Sequence, residues 1–359
     1  MRFIVSLCVL FLALSCSSAS DDGENPEADA TLYFPPLSGN AWETVNPADL
    51  GWNLNRLEEL NTFLIESNTE AFLILYNGKI AFEAYYNDKT ANAIFPWNSA
   101  GKTLTAFTVG LAEQKGLLEL NDKTTDYLGS GWTSMSPAQE DAITIKNQLT
   151  MTSGGDFTRG DIHCYDPECL YYRADPGSEW YYYNAYYTLL QPVLDAAAPN
   201  SFDEFFEAEL KDKIGMDGRW VSLGYNNVYF STARGMARFG LLNLNKGSWG
   251  ENKLLNTDYW DAMTNTSQPL NQAYGYLWWL NGKNQFKLPS IEQGFTGNLI
   301  PNAPDDLIAG LGANDKKLYV IPSKNLVVVR LGPAASDEDL GPTNYDNELW
   351  EKLKEVFEF

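Results

Sequence analysis

Histidine is nearly missing from this chain: among 359 residues there is one, His163. A catalytic triad with an imidazole base has to use it, and a metal centre with several imidazole ligands cannot form. Lysine, tyrosine, aspartate and glutamate are left as candidate bases. Basic residues are also scarce, with 25 Lys and Arg against 47 Asp and Glu and a formal net charge of −22. A phosphate backbone needs a basic face, so nucleic acid is excluded as a partner. The same charge disfavours strongly anionic substrates or an anionic bilayer as the main ligand. Cysteine is confined to Cys8, Cys16, Cys164 and Cys169. Cys164 and Cys169 lie with His163 in the run HCYDPEC, too few ligands for a ready metal site. In an oxidising compartment the pair reads as a short-loop disulfide.

Long apolar runs are absent except at the start. Arg2 followed by the apolar residues 3–14 is too short to span a bilayer comfortably and has the form of an export signal over residues 1–15. The run ends in Ala13-Leu14-Ser15-Cys16, which is similar to a bacterial lipobox, so Cys16 is the expected lipid anchor. Ordinary cleavage near Ala19 is the alternative. Residues 17–30 are polar and acidic with no core-forming pattern, and residues 16–50 are expected to form a lipidated flexible tether. Asp21 and Asp22 fit a surface-export signal. The expected location is therefore that of an exported bacterial lipoprotein, on the outer membrane or cell surface, with the periplasmic side as the alternative.

What is present is an ordinary globular composition, 44% hydrophobic and 20% charged, in a chain long enough for one large domain or two lobes. Leu57, Leu60 and Leu64 have helical spacing. The runs AFLILY and KIAFEAYY flank Asn77-Gly78, a strong hairpin signal. Near the C-terminus KKLYVIP and NLVVVRLG read as two strands and NYDNELWEKLKEVFEF as an amphipathic helix. Between them, from about residue 100 to 280, helical patterns dominate. The expected fold class is α/β (α+β): an antiparallel sheet from residues 70–90 and 305–332, flanked by helices, plus a mainly helical lobe. The aromatic clusters WYYYNAYY and YGYLWWL are expected to pack this lobe and to wall a cleft.

The chemistry starts at Ser99-Ala100-Gly101-Lys102, at the head of a helical run. Serine and lysine three apart share one helix face, so the amine reaches the hydroxyl. A helix N-terminus favours negative charge at the serine oxygen, and a desolvated lysine sheds its proton and serves as base. Alone, the tetrapeptide also fits an N-cap serine followed by a surface lysine.

Its surroundings narrow the choice. SAGKTLTAFTVGLAEQKGLLELNDKTTDYL followed by AITIKNQLTMTSGG closely resembles the penicillin-recognising serine hydrolases. That superfamily comprises class C β-lactamases, D-alanyl-D-alanine carboxypeptidases and related esterases and amidases. A second motif of that family, Tyr-x-Asn after Pro-Gly and an aromatic segment, is matched by Tyr182-Tyr183-Asn184 in PGSEWYYYNAYYTLL. The resemblance covers residues 51–359 and implies a β-lactamase/transpeptidase-like fold. It implies that Ser99 is the nucleophile, and that Tyr182 relays its proton and later protonates the leaving group. Lys102 would stabilise the Tyr182 phenolate, because a phenol with a pKa near 10 is a poor base at neutral pH. Asn184 would orient Lys102 and contact substrate. The third family box, Lys-Thr-Gly or His-Thr-Gly, is altered: counting back from Tyr319-Val320-Ile321-Pro322 puts Gly310-Leu311-Gly312 there. The Ala313 amide would then join the Ser99 amide as oxyanion donor. Phe295-Thr296-Gly297 is the second choice for this box, and Lys316 and Lys317 lie past it.

Together these readings imply an exported serine hydrolase cleaving an ester or amide through a Ser99 acyl-enzyme. A small-molecule or peptide-like substrate, no metal or organic cofactor, membrane attachment only through the lipid, and a monomeric state are expected. The alternatives are a β-lactamase or D-Ala-D-Ala carboxypeptidase, or a non-catalytic surface binding protein on the same fold. His163, beside Cys164, is expected to be a loop residue.

Overall fold

The Asn77-Gly78 turn organises the first hairpin. Both residues have positive φ, 48° and 80°, the conformation a two-residue hairpin turn demands. They join β1 (Ala71–Tyr76) to β2 (Lys79–Tyr85). The computed structural model describes residues 32–335 and 341–358. The export signal, Cys16 and residues 17–30 lie outside the described residues.

The main sheet has six strands, all antiparallel to their neighbours. Besides the first hairpin it contains β3 (Trp279–Leu280), β4 (Ile308–Gly312), β5 (Lys316–Ile321) and β6 (Leu326–Leu331). The spatial order is β2-β1-β6-β5-β4-β3, so the two ends of the chain meet at the sheet centre. β5 and β6 are buried along their whole length. Such strands must be covered on both faces, which accounts for continuous apolar runs such as LVVV rather than alternation.

One face is covered by α1 (Leu54–Glu66) and α6 (Asn344–Phe357), which pack on each other, with Phe63 stacked on Tyr345. The other is covered by α2 (Lys102–Gln114) and α5 (Ala233–Leu244). Gly240 permits close approach of α5, since a β-carbon there would meet Val327 Cγ1 at 2.4 Å. Two short helices, α3 (Asn184–Thr188) and α4 (Leu190–Ala197), belong to the helical lobe and pack towards α2.

Three expectations need correction. Residues 32–50 are not tether but the first covering layer of the domain. Tyr33 N donates to Asn77 O at 2.9 Å, and Trp42 Nε1 donates to Gly78 O at 2.8 Å. Val45 and Ile80 continue the contact backbone to backbone. The lobe between 100 and 280 is also less purely helical than its periodicity predicts. Arg219–Leu223 and Asn226–Ser231 pair as strands with Phe95–Pro96, and α5 lies on the main sheet. Finally, YGYLWWL contains a tight turn at Leu277, with φ 59°, and ends in edge strand β3 rather than in a helix.

Lys316 and Lys317, although close in sequence to the third box, serve the sheet. Lys316 Nζ donates to Gly332 O. Lys317 Nζ bridges Asp315 at 3.1 Å and Asp346 at 2.8 Å, all three side chains buried. Asp346 also accepts from Tyr319 and from the Thr343 amide, closing the capping box of α6. Burial raises Asp315, but Lys317, Thr343 and the Ala335 amide outweigh it and hold the carboxyl below its ordinary range. Asp346→Ala is expected to cost about 3–5 kcal/mol, because it removes one of the two carboxylates paired with buried Lys317 and leaves the Tyr319 hydroxyl and the Thr343 amide without their acceptor. Urea unfolding measures this, and a loss under about 1 kcal/mol, the worth of a surface pair, contradicts it.

Candidate active site

The site is built where α2 begins beside the end of β4. Trp97 is buried, its amide donating to Tyr229 O and its Nε1 to Ser231 Oγ at 2.7 Å. The next residue, Asn98, takes a left-handed conformation with φ 49°. Asn tolerates that region better than most side chains, and here it sharpens the turn that presents Ser99. Asn98 Nδ2 donates to Ala313 O at 2.8 Å, tying the turn after β4 to the residue before Ser99. Asn98 was not singled out from sequence. Its place in WNSAGK before a helix head was the available signal.

Residues 98–101 form a single tight turn that runs into α2. Ser99 stays half-buried, whereas every α2 residue from Lys102 to Ala112 is buried. Lys102 is therefore an amine inside a helix with no polar face. Its Nζ donates to Ser99 Oγ at 2.9 Å. Among the described residues no carboxylate pairs with it; instead it lies 3.9 Å from the centre of the Tyr187 ring and 4.9 Å from that of Tyr182. Burial holds its pKa well below the ordinary lysine range.

Tyr182 approaches Ser99 from the other lobe, near enough for the serine hydroxyl to act on its phenol. Its ring is buried, lying nearly parallel to Trp279 at 5.9 Å and edge-on to Tyr274 at 6.2 Å. Burial raises the Tyr182 pKa above the ordinary phenol range, with the Ser99 hydrogen bond a smaller opposing effect. Burial thus shifts both groups towards their neutral forms, the amine by lowering its proton affinity and the phenol by raising it.

Asn184 heads α3 two residues later and is buried, but it makes no hydrogen bond to Lys102. Its Oδ1 is buried without a partner. Tyr187, one helical turn further, occupies the role beside the lysine. The sequence offered YNAYY as the hint, but not which of its tyrosines faces the amine.

On the sheet side, Gly310, Leu311 and Gly312 lie on β4 next to the 98–101 turn. A β-carbon on Gly312 would meet Trp97 O at 2.4 Å, Ala100 N at 3.0 Å and Ser99 N at 3.1 Å. Only a glycine lets the strand lie against the serine amide. Ala313 follows, partly exposed, at the start of the turn to β5. Phe295-Thr296-Gly297 lies elsewhere, in and just after the strand of a separate hairpin formed by Gln285–Lys287 and Gly294–Thr296.

That hairpin and residues 151–181 meet at a rim. Arg173 bridges Glu179 at 2.9 Å and Glu292 at 3.0 Å, and Phe157 stacks on Tyr181. Cys164 and Cys169 form a disulfide, and Cys169 O accepts from Tyr183 Oη at 3.3 Å, bracing the residue after Tyr182. His163 donates from Nδ1 to Asn226 Oδ1 at 2.8 Å and makes no hydrogen bond to Ser99, Lys102 or Tyr182. No cluster of three or more His, Cys, Asp or Glu able to hold a metal occurs among the described residues.

Comparison with known proteins agrees with this architecture. Residues 67–332 match the Beta-lactamase family model, and the chain belongs to that family. A solved structure of a Bacillus anthracis protein, provisionally assigned as a 6-aminohexanoate-dimer hydrolase, is 18% identical with a TM-score of 0.69, over 90% of this chain and 89% of that one. A penicillin-binding protein from Bacillus halodurans is 17% identical with a TM-score of 0.60, over 82% and 99% respectively. A penicillin-binding protein homologue from Pyrococcus abyssi is 14% identical with a TM-score of 0.62, over 84% and 76%. At such identities the likeness is one of fold, the β-lactamase/transpeptidase-like fold. No curated protein sequence matches this chain significantly.

The Gly312 contact yields a direct expectation. Gly312→Val should slow fluorophosphonate labelling of Ser99 by about 10²-fold or more, the scale of losing an oxyanion donor, with the far-ultraviolet circular dichroism unchanged. Labelling at the native rate would mean that β4 does not shape the site.

Proposed function

We propose that this chain is an exported serine hydrolase that cleaves an ester or amide through an acyl-enzyme on Ser99. The observation that carries the proposal is the 2.9 Å contact between Ser99 Oγ and a wholly buried Lys102 with no carboxylate partner. A neutral amine has a lone pair, so the hydroxyl turns its proton towards Nζ as Oγ attacks the carbonyl. The negative charge that develops on the carbonyl oxygen is held by the amides of Ser99 and Ala313, with Gly312 permitting their approach. Tyr182, a phenol kept protonated by burial beside Ser99, gives its proton to the leaving group and is reprotonated from Lys102. Water then attacks the acyl-enzyme along the same proton path in reverse. Asn184 Oδ1, an unpaired buried acceptor, receives an N–H or O–H of the substrate.

Two observations favour a small ester or amide over a penicillin. The end of β4 carries Gly312, Ala313 and Asn314, with no cation for a β-lactam carboxylate. Lys316 and Lys317 are buried in structural contacts and cannot supply one. The Bacillus anthracis neighbour's assignment to a 6-aminohexanoate dimer adds a small linear amide to the candidates, whose carboxylate lies at the end of a flexible chain and not fixed beside the scissile bond.

A fluorophosphonate probe is expected to label the protein at Ser99, to be lost in Ser99→Ala and to persist in His163→Ala. Hydrolysis of p-nitrophenyl esters is expected to fall as pH drops through the depressed pKa of Lys102, because the protonated amine cannot accept the serine proton. Absence of labelling and of ester turnover would leave a binding protein on a hydrolase fold. Efficient nitrocefin turnover would move the assignment to β-lactamase.

We further propose a monomeric lipoprotein attached through Cys16. The apolar residues 3–14, the lipobox-like end and the disulfide between Cys164 and Cys169 support an exported setting. None of the described helices is long and apolar enough to cross a membrane. Cys16→Ala is expected to abolish palmitate incorporation and to release the protein from the membrane fraction. Retention there with no bound lipid would refute the anchor.

A further inference from the structure

We propose that Tyr187 is the positioning residue for the general base: its ring face takes the place of a carboxylate and holds the ammonium formed when Lys102 accepts the serine proton. This rests on the acyl-enzyme reading and adds to it the group that carries the charge midway through the reaction.

A proton arriving on Lys102 creates a full positive charge in a site closed to water. Such a charge needs an electrostatic partner, or the step that makes it becomes uphill. The groups facing Nζ are few. Ser99 Oγ loses its proton in the same step and becomes the acyl oxygen, so it offers only transient compensation. Tyr182 presents its ring too, but its centre is farther off, at 4.9 Å. Tyr274, buried against Tyr182, is a neutral phenol held high by burial. From α4, Gln191 reaches Thr105 of α2 rather than Lys102, and from residues 257–263 Tyr259 donates to Ala106 O. No Asp or Glu pairs with Lys102 among the described residues, and Asn184 does not reach it.

Tyr187 is different in distance and in placement. Its ring centre is 3.9 Å from Nζ, closer than that of Tyr182, and the side chain is buried. The contact with the amine is made by the ring and not by the phenol, which forms no hydrogen bond to Lys102. A cation over an aromatic face is attracted by the ring quadrupole, most strongly where water is excluded. The face attracts an ammonium far more than an amine, so it assists the step that forms the ion. An acid at this position would instead keep Lys102 protonated at rest and disable it as a base. An aromatic ring satisfies both requirements.

The test separates the face from the hydroxyl and from simple packing. Tyr187→Phe keeps the face. Installing 3,4,5-trifluorophenylalanine at 187 keeps the ring's shape but withdraws its negative potential. Ester hydrolysis is followed against pH, and the Lys102 titration is read directly from its 13Cε resonance, which needs no turnover. Tyr187→Phe is expected to stay within about threefold of the native kcat. The trifluoro ring is expected to lower kcat about tenfold at constant KM and to move both the Lys102 titration and the acid limb to lower pH. A trifluoro variant with native titration and native kcat overturns the inference, as does a Tyr187→Phe variant as impaired as the trifluoro one. Failure of the underlying reading looks different: Lys102 then titrates as an ordinary exposed lysine in the native protein, or ester hydrolysis survives Ser99→Ala.

Discussion

Everything about this site turns on the burial of one amine without a counter-ion. Lys102 sits in α2 among side chains that water does not reach, and desolvation favours its neutral form. In the proposed mechanism the neutral amine takes the proton from Ser99. The cost of the buried polar head is offset locally, by a hydrogen bond to the serine and by two ring faces. The lobe on the far side of the cleft supplies both rings, so the charge state of Lys102 is a property of the assembled protein.

The same economy of parts appears on the sheet side. Gly312 has no side chain because the serine turn needs the space, and Asn98 reaches across to Ala313 O so that strand and turn hold their spacing. The lysines that follow are drawn into the Asp315–Lys317–Asp346 cluster, which seats the C-terminal helix. In this chain the cations after β4 maintain the fold and leave the end of the strand uncharged.

Much of the architecture was legible because its signals are local. Asn77-Gly78 demanded a hairpin, the valine-rich run a strand, and the apolar spacing marked α1 and α6. The misreadings share a cause as well. Residues 32–50 look like tether because their partners, Asn77, Gly78 and Ile80, are remote in sequence. The strands Arg219–Leu223 and Asn226–Ser231 lie between stronger helical patterns, and YGYLWWL has aromatic residues that suit a helix, a strand or a turn equally. Periodicity does not settle segments whose conformation is set by what they pack against.

For the candidate site, the sequence by itself determined that Ser99 and Lys102 share a face, because residues three apart at a helix start have no other arrangement. A single histidine likewise determined that an imidazole is not the obvious base. That Tyr187 lies over the lysine, that Asn184 makes no hydrogen bond to it, and that burial shifts both Lys102 and Tyr182 towards their neutral forms were decided only by the tertiary structure. Proton affinity in a closed site depends on the distance and orientation of groups brought from different elements. Those quantities exist only once the sheet and the helical lobe have closed around Ser99.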